Sequence, residues 1–193
     1  NFLMDTENML KPEIVVFAGP NGSGKSTIFN LAKVFYPYVN ADDIKSSLHC
    51  TDLEAAEKAT ELRENLLAAN KNFSFETVLS TRRNLELLKR AKEKGYFIRV
   101  FYVLTISPVI NVMRIKSRVL NGGHNVPEEK VHARYDKALL LLPELIQISD
   151  ILHIYDNSQN IFRIFKKRKT ENFYWENSFW SKQQIEKLVG FEL

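Results

Sequence analysis

Ile14-Val15-Val16-Phe17-Ala18-Gly19-Pro20-Asn21-Gly22-Ser23-Gly24-Lys25-Ser26-Thr27 is a β-branched apolar run that breaks into Gly-x-x-x-x-Gly-Lys-Ser. An apolar strand before such a break and a helix after it are the context in which this pattern cradles phosphates. Gly19, Gly22 and Gly24 let backbone N–H groups turn inward around a β-phosphate, with Pro20, Asn21 and Ser23 completing the loop. The helix opening near Gly24 aims its positive end at the same anion. Lys25 is expected to reach the β/γ oxygens, Ser26 to hold Mg²⁺ through its hydroxyl, and Thr27 to close the nucleotide-contacting set. The stretch implies a purine nucleoside triphosphate site, with ATP and Mg²⁺ as cofactors.

Composition fits that reading without sharpening it. A chain of 193 residues, 45% hydrophobic and 26% charged, matches a globular α/β protein with a substantial core. One P-loop domain over residues 1–193 is expected, with its core at about 12–165 and a C-terminal strand and helix extension at 166–193. No apolar run approaches the ~18 residues of a membrane span, so no membrane partner is expected. The opening Asn-Phe-Leu-Met-Asp-Thr-Glu-Asn-Met-Leu shows no basic stretch ahead of an apolar core, and a secretory signal is not expected there. Cys50 stands alone, which excludes an internal disulfide and suits a reducing, cytoplasmic location. His49 beside it has no second Cys/His pair at zinc spacing. The net charge of +4 owes much to Lys166-Lys167-Arg168-Lys169, read as a solvated loop, and such a balance also steers anionic nucleotides.

Periodicity supplies the remaining elements. Helix 26–34 follows the loop, and a short strand covers 38–40. A helix over 52–70 carries Leu53, Ala56, Ala59, Leu62, Leu66 and Ala69 at helical spacing behind Thr51 or Asp52. Strand 72–78 alternates around Phe73 and Phe75. Helix 85–94 stops at Gly95, strand 96–105 follows, and Ser107 caps helix 108–120. The Gly-rich break 121–127 leads to helix 128–142, then to strands 151–155 and 161–165. Ser181-x-x-Gln184 is a capping box for a terminal helix. This alternation predicts a three-layer α/β fold of the P-loop NTPase and kinase type. Its sheet is mostly parallel, helices lie on both faces, and ligand sits at the strands' carboxyl ends.

The acids and arginines indicate what happens to the triphosphate. Hydrolysis-driven ATPases end an apolar strand in Asp or Asp-Glu. Here strand 96–105 ends in Thr105-Ile106-Ser107, and Asp156-Asn157-Ser158 is followed by Ile161, where no helix fits. Transfer to an acceptor hydroxyl fits better. Asp42 and Asp43 follow the second strand, where one carboxylate can take the hydroxyl's proton while the other begins a helix. Arg114 and Arg118 share a helical face leading into Asn121-Gly122-Gly123-His124, and Arg134 lies on the next helix, as a lid that closes over the triphosphate requires.

Asn40-Ala-Asp-Asp-Ile44, Phe75-Glu-Thr-Val-Leu-Ser-Thr81, Arg118-Val-Leu-Asn-Gly-Gly-His-Asn-Val-Pro127, Arg134-Tyr135 and Tyr155-Asp-Asn-Ser158 follow the phosphate loop in that order. Together they resemble the zeta-toxin family of bacterial kinases in a compact, single-domain form, over roughly residues 12–165. The resemblance implies an ATP- and Mg²⁺-dependent kinase of UDP-N-acetylglucosamine, often held inactive by a small helical antitoxin. It assigns Asp42 as catalytic base and Lys25 and Ser26 to phosphate and magnesium. Glu76 and Thr77 fall to the sugar nucleotide, and Arg118 and Arg134 to the lid and phosphates. His124 lies in the lid loop with a possible phosphate contact. The chain departs from the best-known members after Glu76, where Thr77-Val78-Leu79-Ser80 stands, and in its Gly-Gly-His lid.

Two other readings compete with a zeta-type small-molecule kinase. A polynucleotide or RNA-end kinase, or a nucleoside kinase, uses the same devices, and Lys166–Lys169 with Phe173, Tyr174, Trp175, Phe179 and Trp180 would then stack and contact backbone. These aromatics flank a capped helix and are expected to dock it onto the core, which disfavours nucleic acid as a partner. A non-catalytic nucleotide-binding switch has no need of Asp42.

Overall fold

The computed structural model describes residues 11–30, 32 and 34–193; the expectations for the opening decapeptide and for positions 31 and 33 of the first helix lie outside the described residues. The β-branched run becomes β1 (Glu13–Ala18), which pairs in parallel with β3 (Phe73–Thr77) on one side and β4 (Phe97–Leu104) on the other. β2 (Tyr38–Val39) flanks β3 and β5 (Ile151–Asp156) flanks β4, again in parallel. β6 (Phe162–Arg168) and β7 (Glu171–Tyr174) extend the sheet antiparallel, giving the order β2-β3-β1-β4-β5-β6-β7.

One face of the sheet carries Ile14, Val16, Phe73, Phe75, Ile98 and Val100, all buried. Over it pack α3 (Asp52–Ala68), α4 (Arg83–Glu93), α6 (Glu128–Ile148) and α7 (Lys182–Val189) through Ala59, Leu67, Leu85, Leu88, Leu142, Leu145, Ile185 and Val189. Each of these large apolar side chains contributes ~1.5–3 kcal/mol. The opposite face carries Val15, Phe17 and Val103 against Ile28 of α1 (Lys25–Phe29). α2 (Ala41–Leu48) follows β2, and α5 (Pro108–Leu120) pairs with α6 through Val112, Ile115 and Val131. The caps form as read: Thr51 and Ser181 close capping boxes, and the Ser107 hydroxyl accepts from the Val109 N–H.

Five expectations are corrected. The first helix ends at Phe29 rather than 34, because the chain turns back to the sheet, where the Phe35 N–H donates to Ser74 Oγ at 2.8 Å. In α3 the buried stripe is Ala55, Ala59, Arg63 and Leu67, and Leu53 and Leu62 face solvent, so the helix is rotated from the predicted face. α6 runs through Pro143 to Ile148. A mid-helix proline costs ~3 kcal/mol, and burial of Leu142, Leu145 and Ile146 beside it outweighs that. Lys166, Lys167 and Arg168 belong to β6 rather than a loop, and Lys169 makes the turn to β7 at φ 55°. The Lys167 ammonium donates to the Ile146 and Gln147 carbonyls at 2.6 and 3.1 Å, capping the end of α6. Of the C-terminal aromatics Phe179 and Trp180 join the core cluster with α7, whereas Phe173, Tyr174 and Trp175 are exposed along β7 and just past it, Tyr174 meeting α7 only through the Lys182 ammonium at 5.8 Å from its ring. Lys167→Met is expected to lower stability by ~1 kcal/mol in urea unfolding, because two helix-end carbonyls lose a charged donor.

Candidate active site

The glycines of the phosphate loop are required by close contacts. At Gly19 φ is 139°, and a Cβ there would collide with the Val103 carbonyl oxygen. A Cβ on Gly22, at φ 76°, would lie 2.6 Å from the Asn111 carbonyl oxygen. The Gly19 N–H donates to the Thr77 carbonyl at 3.1 Å, and the Ser23 N–H to that of Pro20 at 3.2 Å. From the far side Asn157 Nδ2 donates to the Ser23 carbonyl at 2.9 Å. The Arg114 guanidinium donates to the Asn157 carbonyl at 2.6 Å and lies 3.5 Å from that of Ser23. Arg114 therefore braces the loop against the end of β5 while lining the phosphate cleft.

Lys25 is buried, with its ammonium on the Gly19 and Pro20 carbonyls at 2.9 and 3.3 Å and 3.5 Å from Glu76. Ser26 and Thr27 are exposed, and Ser26 opens into a cleft of about 390 Å³ with Lys25, Asp42, Asp43, Glu76, Arg114 and Arg118. A magnesium ion takes one or two protein oxygens and fills its shell with water and phosphate oxygens, so the Ser26 hydroxyl and neighbouring carboxylates fit it. Bound there, it would neutralise charge on the transferring phosphoryl group.

The acids owe their position to the start of α2. Asn40 caps the helix, its Oδ1 accepting the Asp42 N–H at 2.9 Å. Its Nδ2 lies 3.4 Å from Glu76 Oε2, which also accepts the Tyr38 hydroxyl at 3.0 Å. Burial and the adjacent Glu76 push the Tyr38 hydroxyl far above its usual range, so it stays a donor. Asp43 is raised by burial and by the carboxylates of Glu76 and Asp42.

A second cleft, about 250 Å³, opens past Asp42 between α3 and the end of β3, lined by Thr60, Arg63, Glu76, Thr77, Arg83 and Arg134 among others. The Thr77 hydroxyl accepts from Asn84 Nδ2 at 2.8 Å and the Leu79 N–H at 3.0 Å, which leaves its proton for a ligand. A third depression lies under the lid loop, bounded by Arg118, His124, Lys130 and Arg134. Arg134 donates to Asn21 Oδ1 at 3.3 Å and Arg118 to the His124 carbonyl at 2.8 Å, while His124 Nε2 lies 3.5 Å from Ser46 Oγ. The three cavities share one residue, Asp42. Asp43 lines only the phosphate cleft.

Sequence reasoning missed Arg63. Its guanidinium is buried over the Phe75 ring at 5.3 Å, donates to Thr60 Oγ1 at 3.2 Å, and makes no ion pair among the described residues. Burial, and secondarily Arg83, pull it down to about 10. A cation at the four-residue spacing of Ala55, Ala59 and Leu67 was the available signal. Asn157 was visible only within the Tyr155–Ser158 motif. The arrangement can hold a triphosphate on the loop and an anionic acceptor beside Arg63, with a carboxylate between them.

The family model described as Zeta toxin matches residues 3–170. An uncharacterized protein of Haemophilus influenzae is 31% identical over 134 residues, which are 66% of this chain and 95% of that protein. A chain of the PezAT toxin–antitoxin system of Streptococcus pneumoniae superposes with a TM-score of 0.60 at 18% identity, covering 96% of this chain and 86% of that one. The AvrRxo1-ORF1:AvrRxo1-ORF2 complex superposes at 0.71 with 14% identity, over 93% of this chain and 64% of that one, and at 0.70 in its form with ATP. At these identities the two superpositions speak for the fold alone. With most of its length matched by the family model, the chain belongs to the zeta toxin family.

Proposed function

We propose that this protein is an ATP-dependent, Mg²⁺-assisted kinase that transfers the γ-phosphate to a hydroxyl of a sugar nucleotide such as UDP-N-acetylglucosamine. The observation that carries the reading is the convergence of the phosphate, acceptor and lid cavities on Asp42. In the reaction, Asp42 takes the acceptor hydroxyl's proton as its oxygen attacks the γ-phosphorus. The new O–P bond forms while the bond to the β-phosphate oxygen breaks, and ADP leaves. Lys25, Arg118 and Arg134 neutralise the charge spread over the transferring oxygens. Glu76, held by Tyr38 and Asn40, is suited to accept a substrate hydroxyl. Arg63 supports an anionic acceptor, because a buried guanidinium without a counter-ion gains most from a ligand that brings one. Family membership and the P-loop kinase fold support phosphotransfer, and the AvrRxo1 complex with ATP supports ATP as donor. The PezAT toxin–antitoxin system supports an antitoxin protein as a partner.

The test is ADP release with ATP and Mg²⁺ across a panel of sugar nucleotides and uncharged sugars. Release that requires a sugar nucleotide is expected; equal release without any acceptor would overturn the reading. Arg63→Met is expected to raise the acceptor KM tenfold or more with little change in kcat or ATP affinity, because it contacts the acceptor's charge rather than the reacting atoms. Urea unfolding should show that variant at least as stable as the parent, since a buried charge has been removed.

A further inference from the structure

The face of the sheet opposite α3, α4, α6 and α7 carries a feature unused by phosphotransfer. Phe17, Phe101, His153, Lys166 and Phe173 pair directly, one after another, across β1, β4, β5, β6 and β7. Directly paired residues share a face, so the five form a single row. Phe17 stacks on Phe101 at 5.5 Å, Phe101 on His153 at 5.3 Å, and His153 on Tyr155 at 6.1 Å. At the outer end the Lys166 ammonium lies 6.0 Å over Phe173, and the Arg163 guanidinium 4.5 Å over Trp175. The row starts buried beneath α1 at Phe17 and emerges outward, reaching 41% exposure at Phe173 and 36% at Trp175. At its inner end this face is covered by α1 and by Ala32, Val34, Phe35 and Ile161 of the connecting segments, which pack with Val15, Phe17 and Val103.

The charges on this face lean basic, with Arg99, Arg163, Lys166 and Arg168 against Glu13 and Glu171. Arg99 is neutralised by Glu13 at 2.7 Å, whereas Arg163 and Lys166 make no ion pair among the described residues. His153 is pushed down to about 4 by burial and then by Arg163, Lys166 and Arg99, so it enters the row as a neutral ring. Rings interleaved with free cations suit bases and phosphates. They suit a protein partner poorly, since interface centres are depleted of charge. Four strands at ~4.8 Å spacing give the row from Phe101 to Phe173 a length of ~14 Å, room for a few nucleotides.

We infer that this open sheet face binds single-stranded nucleic acid, with bases stacked on Phe173, Trp175 and the His153–Phe101 pair and phosphates on Lys166 and Arg163. The inference is independent of the kinase reading, because none of these residues lines the cavities around Asp42. It also departs from the expectation that the aromatics 173–175 dock the C-terminal helix.

The test is fluorescence anisotropy of labelled single-stranded RNA and DNA decamers and of a duplex decamer, with the full chain, across a salt series. Binding of at least one single strand, tighter than the duplex, is expected, and it should weaken as salt rises. Phe173→Ala and Trp175→Ala should each weaken it by ~5-fold to ~100-fold. Lys166→Ala should flatten the salt slope by ~0.7, the value of one phosphate contact. Saturating ATP should leave this binding unchanged, and the ADP-release activity of all three variants should match the parent's. No binding of either single strand, duplex binding as tight as single-strand binding, or binding indifferent to Phe173→Ala and Trp175→Ala would each overturn the inference.

Discussion

Asp42→Asn is expected to bind ATP as the parent does and to lose ~10²- to 10⁴-fold in kcat, the usual contribution of a positioned general base. The substitution keeps the shape of the side chain and the Asn40 cap on its backbone N–H, so the fold and the nucleotide site should survive. It removes the oxygen that would take the acceptor's proton where the three cavities meet. Asp43→Asn is the informative partner. Asp43 lines the phosphate cleft but not the acceptor cleft, and its loss should cost less than ~10-fold. Single-turnover transfer rates at saturating ATP separate the two. Equal losses would remove the distinction drawn between these neighbouring acids.

Gly19→Ala is expected to cost ~3 kcal/mol or more of stability and to abolish measurable ATP binding. Alanine at φ 139° is strained in any surroundings, and here its Cβ would also meet the Val103 carbonyl on β4. The central strands cannot give way, because Gly19 donates to Thr77 while Ala18 is paired with both Thr77 and Tyr102. Against the ~5–15 kcal/mol stability of a typical domain, such a loss is large. Gly95→Ala is the control: its φ is 86° but nothing lies within 4 Å of the added Cβ, so only the ~1 kcal/mol of backbone strain applies. Urea midpoints and ATP titrations of the two variants should differ accordingly.

How far the sequence could be read depended on whether the deciding physics was local. Residues 14–27 announce themselves because strand, glycine turn and helix follow one another without any tertiary information. Thr51, Ser107 and Ser181 were legible for the same reason, each bonding its own neighbours in the chain. The helix expected over 128–142 runs on to Ile148, because the break that Pro143 favours locally is overruled by core burial on both sides of it. The run from Lys166 reads as a loop by charge alone. It is a strand because Ile164 and Phe165 are buried beside it and Lys167 reaches α6. In the candidate site, Asp42, Glu76 and Arg134 stand out by position in motifs. Arg63 does not, since its significance lies in burial without a counter-ion, which only the packed structure reveals. Arg114 shows the reverse case: its spacing suggested a mobile lid, whereas its guanidinium holds the loop carbonyls.

The central claim is that a phosphoryl group passes from the phosphate loop to an acceptor hydroxyl beside Asp42. Mass spectrometry of sugar nucleotides after incubation with the protein, ATP and Mg²⁺ tests it most directly. The account predicts one added phosphate on a sugar nucleotide such as UDP-N-acetylglucosamine, absent when Asp42→Asn replaces the parent. ADP formation with every sugar nucleotide unchanged in mass, or a phosphorylated product formed equally well by Asp42→Asn, would contradict it.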